Sequence, residues 1–452
     1  MLETNKPLAT QAVALSCKLS REHAMSDQHS LFLPCPRGLE ASLVAEMQQL
    51  GSPTLQVREP VASGVAASGT LADVMLLNLH SRIASRVLLR MGRATAVHAD
   101  DVYRLALTLP WERWFTPEQT LRVDVSADRG SMSPSAQGQA PRALSRANGE
   151  PGRAATFPDS VLFAALRVKD GVCDHFRRLE QDRPSVDRQR PDVRIHLHLG
   201  AADALLYLDT SGEALFKRGW RAEHGEAPLK ENLAAGLVRL SGWTPQDVFF
   251  DPLCGAGTLA IEAAQVACRM ASGLNRTFGF ERLRGFDPAQ WESLRAAART
   301  MRRDAPAPIV ASDIDPRMVA IAQANARLAG VDDAIRFKQA DVMDAQPPAE
   351  LAAGRAGYLV TNPPYAERIE AKGSEADEFL PRLGDVLKRR FTGWHAGLLL
   401  ADLHADRALR LKPSRRHVVY NGPIECRFFT FALVAGRPAR RVGDVTPPAE
   451  PA

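Results

Sequence analysis

At 452 residues, with 45% hydrophobic and 24% charged side chains, the chain has room for two or three domains and the composition of a soluble globular protein. Its net charge of +5 permits a polyanionic partner without requiring one, because solvated Arg-rich faces give the same balance. The six cysteines form no CxxC pair and no Cys/His ligand spacing. That speaks against a disulfide framework, an iron–sulfur cluster or structural zinc, and for a reducing compartment. No apolar run approaches a membrane span, and PLATQAVAL is too short and interrupted for a secretory leader, so a cytoplasmic protein without membrane contact is expected.

Residues 1–29 read as a disordered extension, with Met25 a second candidate start. From Ser30, LFLPCPRGLEASLVAEMQQLG predicts a strand, a turn and a helix with Leu39, Leu43, Met47 and Leu50 on one face, closed by Gly51. The strand-like VASGVAASG follows, and then LADVMLLNLHSRIASRVLLRMG reads as one helix over 71–92. This β-α-β-α start predicts a ferredoxin-like α+β subdomain over 30–100. A second unit, 101–210, holds the strand LRVDVSA, the helix PDSVLFAALRVKDGVCDHFRR and the alternating strands RIHLHLG and ALLYLDT. It is broken at 128–156 by a stretch poor in large apolar residues, which predicts a flexible insertion.

From about residue 211 the pattern changes. VFFDPLCGAGTLAIEAA, PIVASDIDPRMVAIAQANARLAG, IRFKQADVMD, GYLVTNPPY and HAGLLLADLH each start as a buried strand and run into a loop or helix. Such alternation predicts a parallel sheet covered on both sides. RRHVVYNGPIECRFFTFALV is two strands about an Asn-Gly turn. An α/β sheet of seven mostly parallel strands ending in an antiparallel hairpin is the outline of the Rossmann-like (class I) methyltransferases, here over 211–435. Residues 436–452 read as a disordered tail.

Asp251–Thr258, DPLCGAGT, joins a strand to a helix. Gly255 and Gly257 would let backbone amides approach a ligand at the helix N-terminus, although GAGT lacks the third glycine of a dinucleotide site. Asp313 ends the next strand, where a carboxylate can accept both ribose hydroxyls. Asp315, before Pro316, is better placed as a helix cap, with Gly330 closing that helix. Asp341 ends a third strand, within reach of an adenine amino group. The cofactor surface so defined comprises Asp251, Pro252, Cys254, Gly255, Gly257, Thr258, Asp313, Ile314, Asp341 and Val342. With no Walker lysine and no pyrophosphate cradle, S-adenosylmethionine fits better than NAD or ATP.

Asn362-Pro363-Pro364-Tyr365 ends the fourth strand. A nucleobase amine is a poor nucleophile because its lone pair is delocalised into the ring. The Asn362 side-chain oxygen and a proline-fixed carbonyl could each accept one of its N–H groups and free that lone pair. Pro363 and Pro364 hold the acceptors rigid, and Tyr365 offers a face for a base drawn out of its helix. Alone, the motif could equally be a Pro-Pro stop after a strand; beside three ligand-bearing strand ends it reads as catalytic. Displacement at a sulfonium methyl requires no metal, and none of the 11 histidines has partners at ligand spacing.

DPLCGAGT, ASDIDP, ADVMD and TNPPYAER together resemble the motifs of the amino methyltransferases that modify RNA guanine at N2. KRGWRAEHGEAPLKENLAAGLVRLSGW is similar to that family's lead-in motif, which implies that Leu229 and Glu231 lie near the methionine end of the cofactor. GLNRTFGFERLRGFDPAQW is similar to an insertion between its first two motifs. Upstream, PCPRGLEASLVAEMQQLG, HSRIASRVLLRMG and RPSVDRQRPDVRIHLHL resemble the ferredoxin-like plus THUMP module associated with RNA binding. The likeness spans roughly 30–435 and is nearest to the N-terminal (L) half of the bacterial 23S rRNA methyltransferases of K/L type. The second methyltransferase domain fused in some members has no counterpart here. The resemblance implies guanine-N2 methylation of 23S rRNA on a flipped base before the large subunit is complete, with RNA rather than DNA as partner. A tRNA guanine-N2 enzyme or a non-catalytic RNA-binding assembly factor remains an alternative. Methylation of a release-factor glutamine or of DNA adenine fits less well with the large N-terminal module.

Overall fold

The computed structural model describes residues 28–128, 160–221, 229–348, 356–364, 376–402 and 404–434. The expected N-terminal extension, the insertion and the C-terminal tail lie almost wholly outside them.

The first half is built from β1 (His29–Pro34), α1 (Glu40–Gln49), β2 (Gln56–Val61), β3 (Gly64–Gly69), α2 (Leu71–His80), β4 (Leu88–Thr95), α3 (Ala99–Thr108), β5 (Leu121–Ala127), α4 (Val161–Arg178), β6 (Val193–Leu199) and β7 (Asp203–Asp209). These strands form one seven-stranded sheet in the order β2-β3-β1-β4-β7-β6-β5. β4 pairs with β1 on one side and with β7 on the other, so the ferredoxin-like and following parts share a continuous sheet. Burial alternates strictly along β6, as the spacing of RIHLHL requires. Leu39, at the cap of α1, and Leu43 and Met47 on it are buried, each worth about 1.5–3 kcal/mol of apolar transfer.

The expected helix over 71–92 is corrected by the structure. α2 starts at a capping box of Thr70 and Asp73 but ends at His80. The Glu46 carboxylate accepts Ser81 Oγ at 2.5 Å and the amides of Arg82 at 3.1 Å and Ile83 at 3.4 Å, pulling those groups out of a helical ladder. Leu88–Thr95 then continues as β4. α3, within a stretch to which the sequence pattern assigned no element, is amphipathic, burying Val102, Leu105 and Ala106.

The second half runs α5 (Glu231–Leu240), β8 (Val248–Asp251), α6 (Thr258–Ala267), α7 (Pro288–Thr300), β9 (Ile309–Asp313), α8 (Pro316–Ala329), β10 (Ile335–Gln339), β11 (Gly357–Thr361), α9 (Ala376–Arg390), β12 (His395–Leu400), α10 (Ala405–Leu409), β13 (Arg415–Asn421) and β14 (Ile424–Ala432). Its sheet has the order β10-β9-β8-β11-β12-β14-β13. The first five strands are parallel neighbours, and β14 runs antiparallel between β12 and β13. This is the expected Rossmann-like fold with its terminal hairpin. β10 departs from the expectation of a buried strand: it is the sheet edge, and of its five residues only Ile335 is buried.

Several contacts join the halves, among them an ion cluster, a turn seated on the hairpin and an aromatic segment. Glu262 on α6, fully buried, receives Arg82 at 3.1 Å from the loop after α2 and Arg218 at 3.2 Å. The turn between β1 and α1 sits on the terminal hairpin, with Gly38 against Val418 and Arg37 over the Tyr420 ring at 4.7 Å. The segment matching the expected insertion packs Phe278, Phe280 and Trp291 together. Its backbone bonds the first half, Phe280 N to Thr210 O and Arg284 N to Trp114 O, each at 2.8 Å.

Candidate active site

Strand order reverses at β8: β9 follows on one side of it, and β11 lies on the other. In an open parallel sheet that reversal leaves a crevice at the carboxyl ends of the strands. Asp341, Asp313, Asp251 and Asn362 follow or close the four adjacent strands there.

The Gly-rich turn is shaped by its own backbone. Cys254 N bonds Ser312 O at 2.9 Å, tying the turn to β9. Gly255 and Gly257 both have left-handed φ, at 49° and 84°. A Cβ on Gly257 would crowd Ala322 at 3.0 Å, whereas one on Gly255 would meet nothing within 4 Å. Gly257 is therefore needed for packing against α8, and Gly255 faces the open crevice. Asn325, fully buried on α8, donates to Ala256 O at 3.0 Å and braces the turn from behind. Pro252, Cys254 and Thr258 are buried around it.

Asp313 accepts the amides of Gly255 and Asp315, each at 3.0 Å, one on each oxygen. A carboxylate has about four acceptor sites, so roughly two remain for a ligand. Asp315 caps α8 by accepting Arg317 N at 2.9 Å and pairs with the Arg317 side chain, as its place before Pro316 predicts. Ile314 between them is 52% exposed, an apolar side chain at the mouth of the crevice. Asp341 accepts Met343 N at 2.8 Å, closing a short turn whose Val342 is buried in the core.

Asp251 is 1% exposed, and burial pushes its carboxyl up to about 7, with the charge of Asp313 adding to the rise. Two donors oppose that rise: the Thr361 hydroxyl at 2.6 Å and the Leu253 amide at 3.3 Å. Asn362 follows Thr361 directly, and its Oδ1 is buried without a hydrogen-bond partner among the described residues. Pro363 is buried and Pro364 half-buried beside it, while Tyr365 lies outside the described residues.

Leu229 and Glu231 stand beside the Gly-rich turn. Glu231 pairs with Arg221 at 3.0 Å, and Arg221 also donates to Leu229 O at 3.0 Å and Thr258 Oγ1 at 3.2 Å. Burial raises the Glu231 carboxyl, and Arg221 holds against that rise. Sequence reasoning missed Thr361, Arg221 and Asn325. The first precedes the Asn-Pro-Pro run, and the second follows Trp220 in the lead-in stretch. Asn325 carried no signal beyond its place on the buried face of α8. Among the described residues, no three His, Cys, Asp or Glu side chains are grouped to hold a metal ion, and no helix is long and apolar enough to cross a membrane.

Three family descriptions match the chain: "RlmL ferredoxin-like domain" over residues 30–88, "THUMP domain" over 96–209 and "RMKL-like, methyltransferase domain" over 218–429. The chain is 36% identical over 412 residues to Ribosomal RNA large subunit methyltransferase K/L of Shewanella amazonensis, a match covering 90% of this chain and 53% of that protein. It thus spans about half the length of the curated relatives it matches. Among solved structures, a possible methylase from Clostridium difficile 630 is similar with a TM-score of 0.75 and 25% identity, covering 92% of this chain and 100% of its own. SMU.472, assigned as a methyltransferase and solved in complex with SAH, gives a TM-score of 0.75 at 26% identity, covering 91% and 100%. The second half of the chain therefore has the Rossmann-like fold of the S-adenosylmethionine-dependent methyltransferases behind a ferredoxin-like and THUMP module, and nearly the whole chain is similar to the K/L ribosomal RNA methyltransferases.

Proposed function

We propose that this chain methylates the exocyclic N2 amine of a flipped guanine in 23S rRNA, using S-adenosylmethionine, and corresponds to the N-terminal (L) half of the K/L enzymes. In this reading residues 30–100 and 101–210 form the RNA-binding module, and 211–435 carry the chemistry. The observation that carries it is the buried Oδ1 of Asn362, unpartnered among the described residues, at the strand end beside Asp251. An orphaned buried carbonyl oxygen costs about 1–3 kcal/mol, which a substrate N–H would relieve.

The residues present fit the cofactor. Gly255 leaves open space at the crevice, Asp313 keeps acceptor sites for ribose hydroxyls, and exposed Ile314 offers an apolar face for the adenine. Asp341 would receive the adenine amino group, and Asp251 faces no cation among the described residues and would take the ammonium. Leu229, Glu231 and Arg221 would bound the methionine end, with Pro252, Cys254, Gly257, Thr258 and Val342 shaping the walls. Bound S-adenosylmethionine supplies an electrophilic methyl group.

Asn362 Oδ1 and the Pro363 carbonyl accept the two N–H groups of the guanine amine. Both hydrogen bonds strengthen as nitrogen becomes pyramidal, so they favour the transition state over the planar ground state. The prolines fix both acceptors before substrate arrives. Tyr365 would supply the stacking surface. The methyl group would pass to the amine lone pair that these acceptors free, and the surplus N–H proton would leave to water.

Incubation of the protein with S-adenosylmethionine and separated rRNA or tRNA, followed by nucleoside mass spectrometry, tests the reading. N2-methylguanosine in 23S rRNA is expected; label confined to tRNA, or on another base, overturns it. Asn362→Ala should keep S-adenosylhomocysteine affinity and lose about 10²–10³-fold in transfer rate, the scale for one acceptor or donor aimed at the transition state.

A further inference from the structure

Asp251 and Thr361 lie 110 residues apart in sequence and close two neighbouring parallel strands, β8 and β11. Their side chains meet at 2.6 Å in a fully buried contact, with Thr361 the donor. Thr361 is also the last residue before the Asn362-Pro363-Pro364 run. One hydroxyl thus joins the cofactor side of the crevice to the substrate side.

We propose that Thr361 is a positioning residue that couples occupancy of the cofactor's ammonium subsite at Asp251 to the alignment of the Asn362 loop. The inference rests on the methyltransferase reading above and deepens it. An arriving ammonium holds Asp251 in its charged form. A charged carboxylate accepts the Thr361 hydroxyl about twice as strongly as a neutral acid does. Cofactor binding therefore tightens the end of β11 and completes the alignment of Asn362, whose run the prolines already stiffen. Such coupling is reciprocal, so alignment of the loop by substrate favours the charged Asp251 in turn.

Among the described residues, the groups facing Asp251 are few. Thr361 comes from β11, Asp313 from β9, and the Leu253 amide and Cys254 thiol from the turn; burial and Asp251 both push that thiol up. Because the Asp251 carboxyl stands near 7, proton and ammonium compete for it in the neutral range. Burial and Asp313 raise it and the Thr361 hydroxyl lowers it, so loss of the hydroxyl moves the competition to higher pH.

Calorimetry of S-adenosylhomocysteine binding from pH 5.5 to 8.5 tests this in the wild type, Thr361→Val and Thr361→Ser. Wild-type affinity should fall about tenfold for each unit below pH 7. Thr361→Val keeps the shape of the side chain and removes the donor; its inflection should move up by about one unit, and Thr361→Ser should restore it. At saturating S-adenosylmethionine and pH 8.5, Thr361→Val should also transfer methyl about tenfold more slowly. Superimposable profiles for wild type and Thr361→Val overturn the inference. A wild type that binds no S-adenosylhomocysteine at any pH overturns instead the reading on which it rests.

Discussion

Asp313 and Asp315 stand two residues apart in one turn and hold different partners. Asp313 faces the Gly-rich turn through Gly255 N, and Asp315 caps α8. Asp313→Ala should weaken S-adenosylhomocysteine binding about 10–100-fold, since hydrogen bonds to a charged group contribute about 1.5–3 kcal/mol. Asp315→Ala should leave that affinity near wild type and cost about 1 kcal/mol of stability as a lost cap. Calorimetry and denaturant titration of both variants separate the roles, and an exchange of phenotypes would refute the assignment. This division was readable in the sequence because Pro316 marks the first helical residue and so makes its predecessor the cap. Thr361 was not readable in the same way: its meaning depends on a partner supplied by a different strand, and no local pattern encodes that pairing.

At the scale of elements, the turn between β1 and α1 shows how tightly the halves fit. Gly38 has φ 90°, and a Cβ there would strike Val418 O on the terminal hairpin. Gly393 has a similar φ of 87° and nothing within 4 Å of its notional Cβ. Gly38→Ala should therefore cost about 2–4 kcal/mol, from strain plus a backbone clash, and Gly393→Ala only the strain of about 1 kcal/mol. Chemical denaturation of the pair measures the difference; equal losses would mean that the hairpin yields. The parallel strands were legible because buried βα units write long apolar runs that end in glycine or acid. The end of α2 was not, since LHSRIASRVLL keeps helical spacing while acceptors outside the helical ladder withdraw the amides beyond His80: Glu46 those of Arg82 and Ile83, and Pro34 O that of Ser85. β10 was overread for a related reason: composition marks a strand, while its neighbours decide whether it is an edge.

The whole molecule carries half-buried histidine, which contributes to how it responds to acid. His196 bonds Ser126 Oγ at 2.8 Å, and burial, with Arg86 adding to it, holds its ring down at about 4. The unfolded chain protonates the same ring near 6.5, so between those values the unfolded state binds more protons. Stability from this group is thus complete above about pH 6.5 and is lost as pH falls toward 4, up to about 3 kcal/mol. His196→Gln should flatten that part of the curve of unfolding free energy against pH; a slope identical to wild type would show that His196 takes up its proton alike in both states.

The same scale includes the ion cluster at the junction of the halves. Glu262 follows Arg82 by 180 residues, and Arg218 also depends on it. A chain growing on the ribosome therefore holds both guanidinium groups without their acid until α6 has been made. Earlier parts of the chain serve them only in part, as Arg218 does with Leu215 O and Arg82 O, and a guanidinium cannot shed its charge to enter an apolar contact. The face of the N-terminal module that will receive α6 thus stays charged, and closing it early on other apolar surface would be costly. During synthesis the arginines reserve the seat, and the helix that begins at the Gly-rich turn is the segment that brings the matching charge.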